Sequence, residues 1–134
     1  MNEDFTAMAN PADDLKGLVN GQAVDIEDIP NLSPPKFLEA VASGVEKGGR
    51  VSAFFGQPLA NQQVRLWAIL AQDNRSLLFP FRTDLEGEHY PSLTPRCPQV
   101  HWFEREVFEQ WGLEPRGHPW LKPIRFHAPY REGR

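Results

Sequence analysis

QVRLWAILAQDNRSLLFPFR, residues 63–82, is the stretch that decides the fold. Two apolar, strand-forming runs flank Asp73-Asn74, a pair that favours turns. In the first run Val64, Leu66, Ala68 and Leu70 share one face, because successive strand side chains alternate sides. The other face carries Arg65, Trp67 and Ile69, so it is not simply wet. Residues 76–82 return as the hairpin partner. Pro80 has no N–H for a ladder, which predicts an edge strand or a bulge.

Upstream, residues 50–55 read as a third strand. Val51, Ala53 and Phe55 alternate with Ser52 and Phe54, and Gly56-Gln57-Pro58 reads as a turn. Before it lies a helix. Ser33 suits the N-cap and Pro34 the first helical position. Phe37, Val41 and Val45, with Leu38 and Ala42, give it an apolar face, and Gly48-Gly49 ends it. Residues 1–31 read as an acidic, partly flexible arm whose first dozen residues are mobile. A short strand is expected at residues 22–26 (QAVDI). Residues 32–112 form the core domain and residues 113–134 an extended basic-aromatic tail.

Downstream, residues 84–100 read as irregular. A second helix runs from about His101 to Trp111, with Phe103, Val107 and Trp111 as its apolar stripe and Gly112 at its cap. Pro115, Pro119, Pro123 and Pro129 forbid a regular helix after it. The expected class is α+β. It has an antiparallel sheet of about three to five strands, two main helices on one face, and a Pro-rich tail.

Composition narrows the function. The chain has 134 residues, a net charge of −4 and one cysteine, Cys97. A lone cysteine excludes an internal disulfide framework and multi-cysteine clusters, and the chain reads as cytoplasmic. No stretch approaches the roughly 18–20 apolar residues of a membrane span. The charge is uneven. Residues 1–46 hold nine acids and two bases, residues 47–111 seven of each, and residues 112–134 two acids and five bases. Five dispersed bases on an acidic body make a weak nucleic-acid signal.

Few residues are spaced to carry chemistry. Glu104 and Glu106 lie about 200° apart around a helix, so they do not converge as an acid/base pair. Arg105 and Glu109 are spaced to pair, and Arg105 has the reach to bridge carboxylates across a packed helix or a partner. Cys97 and His101 form half of a metal-ligand spacing, but His89, His118 and His127 supply no compact second half. The same two residues carry the alternative reading, a small independent cytoplasmic enzyme using Cys97 with His101. The tail combines Trp120, Phe126 and Tyr130 with Arg116, Lys122, Arg125 and Arg131. Either it wraps its own domain, or another protein grips it.

Residues 92–122, SLTPRCPQVHWFEREVFEQWGLEPRGHPWLK, resemble the signature of the NADH dehydrogenase 30 kDa family, the C-type subunits of respiratory complex I. Ser92, Thr94, Trp102, Glu104, Arg105, Glu106, Glu109, Gly112, Gly117, His118, Pro119 and Leu121 match its pattern, and Lys122 holds the first basic position. Gln110-Trp111, Trp120 and Pro123 depart from it. Trp120 and Pro123 resemble the related domain of formate-hydrogenlyase-type, membrane-bound nickel–iron hydrogenases. The resemblance covers about residues 36–128. It implies a non-catalytic subunit of an oxidoreductase complex that packs against the large subunit of complex I or of a hydrogenase. No cofactor or metal is then expected in this chain. Iron–sulfur, nickel–iron or quinone sites belong to partner subunits, and the chain lies peripheral to the inner membrane. The interface residues it implies are Glu104, Arg105, Glu106, Glu109, His118, Pro119, Trp120, Lys122 and Arg125.

Overall fold

The computed structural model describes residues 15–131, so the mobility expected of the first dozen residues falls outside the described part. Helix α1 spans Pro34–Glu46. Ser33 has the extended backbone of a cap (φ −64°, ψ 154°), and its carbonyl accepts the Phe37 N–H at 2.8 Å, but its hydroxyl makes no cap bond. Phe37, Ala40 and Val41 are fully buried. Gly48 takes φ +100°, and the chain turns directly into the sheet.

Strands β1 (Arg50–Pro58), β2 (Val64–Gln72) and β3 (Leu77–Leu85) form an antiparallel sheet in that order. The expected hairpin closes through a 3-10 turn at Asp73–Arg75, with Ser76 left-handed at φ 55°. Residues 84–100, expected to be irregular, hold strand β4 (His89–Pro91), and it pairs in parallel with β5 (Glu114–Arg116), which lies within the expected tail. Helix α2 spans His101–Trp111 between them and ends on Gly112 at φ 71°. Both helices lie on one face. Phe37 of α1 meets Phe54 and Phe81 at 6.0 and 5.3 Å, and Phe103 of α2 meets Phe54 at 6.4 Å. Burial of each such ring contributes roughly 1.5–3 kcal/mol.

Three further expectations need correction. First, β1 does not alternate strictly. A register shift between Val51 and Ala53 turns Val51 and Phe54 into the core and leaves Phe55 exposed. Second, residues 56–58 continue β1, and the reversal falls at Asn61 and Gln62, both left-handed at φ 63° and 66°. Third, residues 22–26 form no strand; Ile26–Asp28 is a 3-10 turn.

The arm closes an edge instead. Leu18 and Leu78 exchange backbone bonds of 2.8 Å, the Leu32 N–H reaches the Arg82 carbonyl at 2.8 Å, and the Arg82 N–H reaches Pro30 at 3.0 Å. The N–H groups of Leu78 and Arg82 therefore point away from β2. Pro80, two residues from each, directs its missing N–H to the same outer side, where no ladder with β2 requires it.

Candidate docking surface

The Glu-Arg-Glu stretch sorts its three members by depth. Glu104 is fully buried. Its carboxylate accepts the Ser92 hydroxyl at 2.6 Å, the Thr94 hydroxyl at 2.7 Å, and the N–H groups of Leu93 and Thr94 at 2.8 and 3.2 Å. Four donors replace the water that burial removes. Glu104 thereby pins α2 to the turn at residues 92–94 and lies behind the surface. Tyr90 is buried close by. Burial first, and the Glu104 charge second, push its phenol well above the ordinary value.

The next residues hold the tail. Residues 117–130 run beside α2 as a strap. Arg105 donates from Nε to the Lys122 carbonyl at 2.7 Å and from Nη2 to the Pro123 carbonyl at 3.1 Å. It bridges carbonyls, where carboxylates were expected. Glu106 pairs with the Arg125 guanidinium. Glu109 also turns to the strap and away from Arg105, accepting N–H groups from Ile124 (3.0 Å), Arg125 (2.9 Å) and Phe126. Partial burial pushes the Glu109 carboxyl up. The backbone donors outweigh it, and the net shift is downward. At the next residue, the Gln110 carbonyl receives the Tyr130 N–H at 2.7 Å.

His118 fixes the start of the strap. Its Nδ1 accepts the Trp120 N–H at 3.0 Å, so its proton sits on Nε2, which donates to the His101 carbonyl at 3.1 Å. The two imidazoles lie 4.9 Å apart. Burial first, and then repulsion of a second positive charge beside the His118 ring and Arg105, lower the His101 value. Arg131 anchors the far end, donating to the Gln62 carbonyl at 2.5 Å and to Glu88 at 2.6 Å.

The outward side of this assembly is aromatic. Trp102 is 67% exposed, Trp120 55% and Phe126 80%. The Arg105 guanidinium lies 5.1 Å from the Trp120 ring centre and 6.0 Å from that of Trp102, and the Lys122 ammonium lies 5.8 Å from Trp120. A groove of about 680 Å³ runs between the first half of α2 and the strap, walled by Pro98, Trp102, Phe103 and Ile124.

The chain carries little sign of its own chemistry. Cys97 is buried, and burial raises its thiol above the ordinary value, the opposite of what a nucleophile needs. Among the described residues no group of three or more His, Cys, Asp or Glu could hold a metal ion, and no helix is long and apolar enough to cross a membrane.

Residues 37–133 match the family described as respiratory-chain NADH dehydrogenase, 30 Kd subunit. The chain belongs to that family. Relatives include the C/D subunits of NADH-quinone oxidoreductase from Erwinia tasmaniensis, 33% identical over 69 residues, and from Pectobacterium carotovorum and Serratia proteamaculans, each 32% identical over the same length. The matched region is 52% of this chain and 12% of each relative, so the chain spans a small part of their length.

The signature residues and their neighbours therefore divide into three groups here. Ser92, Thr94 and Glu104 bond to one another inside the protein. Arg105, Glu106, Glu109 and His118 shape the strap, and Trp120, Lys122 and Arg125 face outward with Pro119. Three contributors escaped sequence reasoning. Trp102 matched the family pattern but was not counted among the implied interface residues, and Arg131 was named only among the tail's bases. The Gln110 carbonyl leaves no sequence signal, since it is a backbone group.

Proposed function

We propose that this chain is a non-catalytic docking component of an NADH-quinone oxidoreductase complex. It packs against the large subunit of the hydrophilic arm through α2 and the strap. One observation carries the reading: the strap is bonded to α2 along its inner side while Trp102, Trp120 and Phe126 stay open. Large exposed aromatics on a fixed backbone are the make-up of an interface core. The double designation C/D in the relatives' name supports a D-type large subunit as the partner. Redox cofactors then sit in neighbouring subunits, and the chain is peripheral to the membrane through its complex. A hydrogenase-type large subunit is the second reading, favoured by Trp120 and Pro123.

The test is co-elution of the purified chain with the D-type subunit of its own source organism. Wild type is expected to form a stable complex, and Trp120→Ala combined with Phe126→Ser, both at exposed sites, to lose it with an unchanged melting temperature. A complex that survives both substitutions would move the interface elsewhere. Wild type that binds only a hydrogenase-type large subunit would favour the second reading.

A further inference from the structure

Resting on that docking reading, we propose that the partner presents an acidic, apolar segment to this face. An apolar side chain enters the groove between α2 and the strap, and a neighbouring carboxylate settles on the exposed Lys122 beside Trp120, drawn also by the charge of the buried Arg105 behind that ring. All three carboxylates on α2 are engaged inside the protein. Glu104 is sealed by residues 92–94, Glu106 holds Arg125, and Glu109 holds the strap's N–H groups. Two cations are left without a counter-ion. Arg105 is bonded only to carbonyl oxygens, and Lys122 lies over Trp120; among the described residues neither has a carboxylate in ion-pair range. Both lie within 6 Å of the same indole.

The shape of the site agrees with its charge. The groove, at about 680 Å³, falls in the range of about 300–1,000 Å³ typical of ligand pockets; Pro98, Trp102, Phe103 and Ile124 give it apolar walls, and Gln99, His101 and the Glu106–Arg125 ion pair add polar ones. The charges within the groove cancel, as Glu106 pairs with Arg125, and the uncompensated ones lie beside it, at Trp120 next to His101. A groove with apolar walls next to such cations selects a segment that pairs a hydrophobic side chain with Asp or Glu. Two adjacent cations suit one or two carboxylates. A phosphate polymer would meet the net charge of −4 on the whole chain.

The experiment measures affinity for the purified D-type large subunit at low and high salt, with wild type, Lys122→Glu and the charge-matched control Lys36→Glu on α1. A zero-length carbodiimide reaction, which joins an amine only to a carboxylate in contact, is mapped by mass spectrometry. The expected result is affinity at least tenfold weaker in Lys122→Glu, little change in Lys36→Glu, weakening with salt, and a cross-link from Lys122 to an Asp or Glu of the partner. If wild type binds while Lys122→Glu binds equally well and Lys122 forms no cross-link, this inference falls and the docking reading stands. If wild type does not bind the large subunit, both fall. Binding to anionic lipid vesicles alone, abolished in Lys122→Glu, would assign the cations to a membrane and likewise overturn the inference.

Discussion

Glu104 shows how little a residue's type says about its place. Three acids follow one another on α2 at positions 104, 106 and 109, and nothing in their side chains separates them. Their neighbours do. Glu104 meets two hydroxyls and two N–H groups from residues 92–94 and is fully buried, whereas Glu106 meets an exposed arginine. Glu104→Ala should leave several buried donors unpaired. A loss of at least about 3 kcal/mol is expected, read as a lower urea midpoint. Glu104→Gln keeps the shape but replaces one acceptor oxygen with a donor, and is expected to fall between. A wild-type midpoint in the alanine variant would show that the cluster contributes nothing.

At the scale of elements, the sheet and both helices were legible because their signals are periodic. Alternation over residues 64–70 marked β2, and spacing by four along Phe37, Val41 and Val45 marked α1. The shift inside β1 was not legible. One extra residue at Val51 to Ala53 reverses the facing of everything after it, and no glycine or proline marks the spot. The strap was half legible. Its prolines excluded a helix, but its path along α2 is set by contacts distant in sequence. One of those contacts titrates. The Glu109 carboxyl is held below its ordinary value of 4.5, so its contribution is complete above that value and is lost as pH falls through the lowered one. Amide protection at Ile124 and Arg125, corrected for the intrinsic pH dependence of exchange, is expected to be lost in acid, as pH falls below the ordinary value and through the lowered one. In Glu109→Gln it should be weak at every pH. Equal protection in both proteins at neutral pH would remove Glu109 from that role.

The whole molecule meets at one glycine. Gly56 of β1 faces Trp111 at the end of α2, and a Cβ there would lie 2.6 Å from its ring. Trp111 in turn contacts Tyr130 edge-on at 5.4 Å. Sheet, helix and strap are thus stacked in series. Gly56→Ala should destabilise the fold by about 1–3 kcal/mol through overpacking. It should also raise exchange at the Tyr130 N–H, because that ring rests on the displaced indole. A variant with unchanged stability but a freed Tyr130 N–H would mean that the tryptophan moves without strain.

The way α2 holds the strap has a wider consequence. Arg105 grips carbonyl oxygens, Glu109 grips N–H groups, and the Gln110 carbonyl receives a backbone N–H; among these strap bonds, His118 and Arg125 offer side chains. Backbone atoms are the same in every residue. The helix therefore dictates the strap's path while staying blind to most of the side chains that path displays. Shape is written in one segment and identity in another. A change of partner needs only new outward residues on an unaltered rail, and Trp120 and Pro123, two of the places where this chain departs from its family's pattern, both lie on that rail.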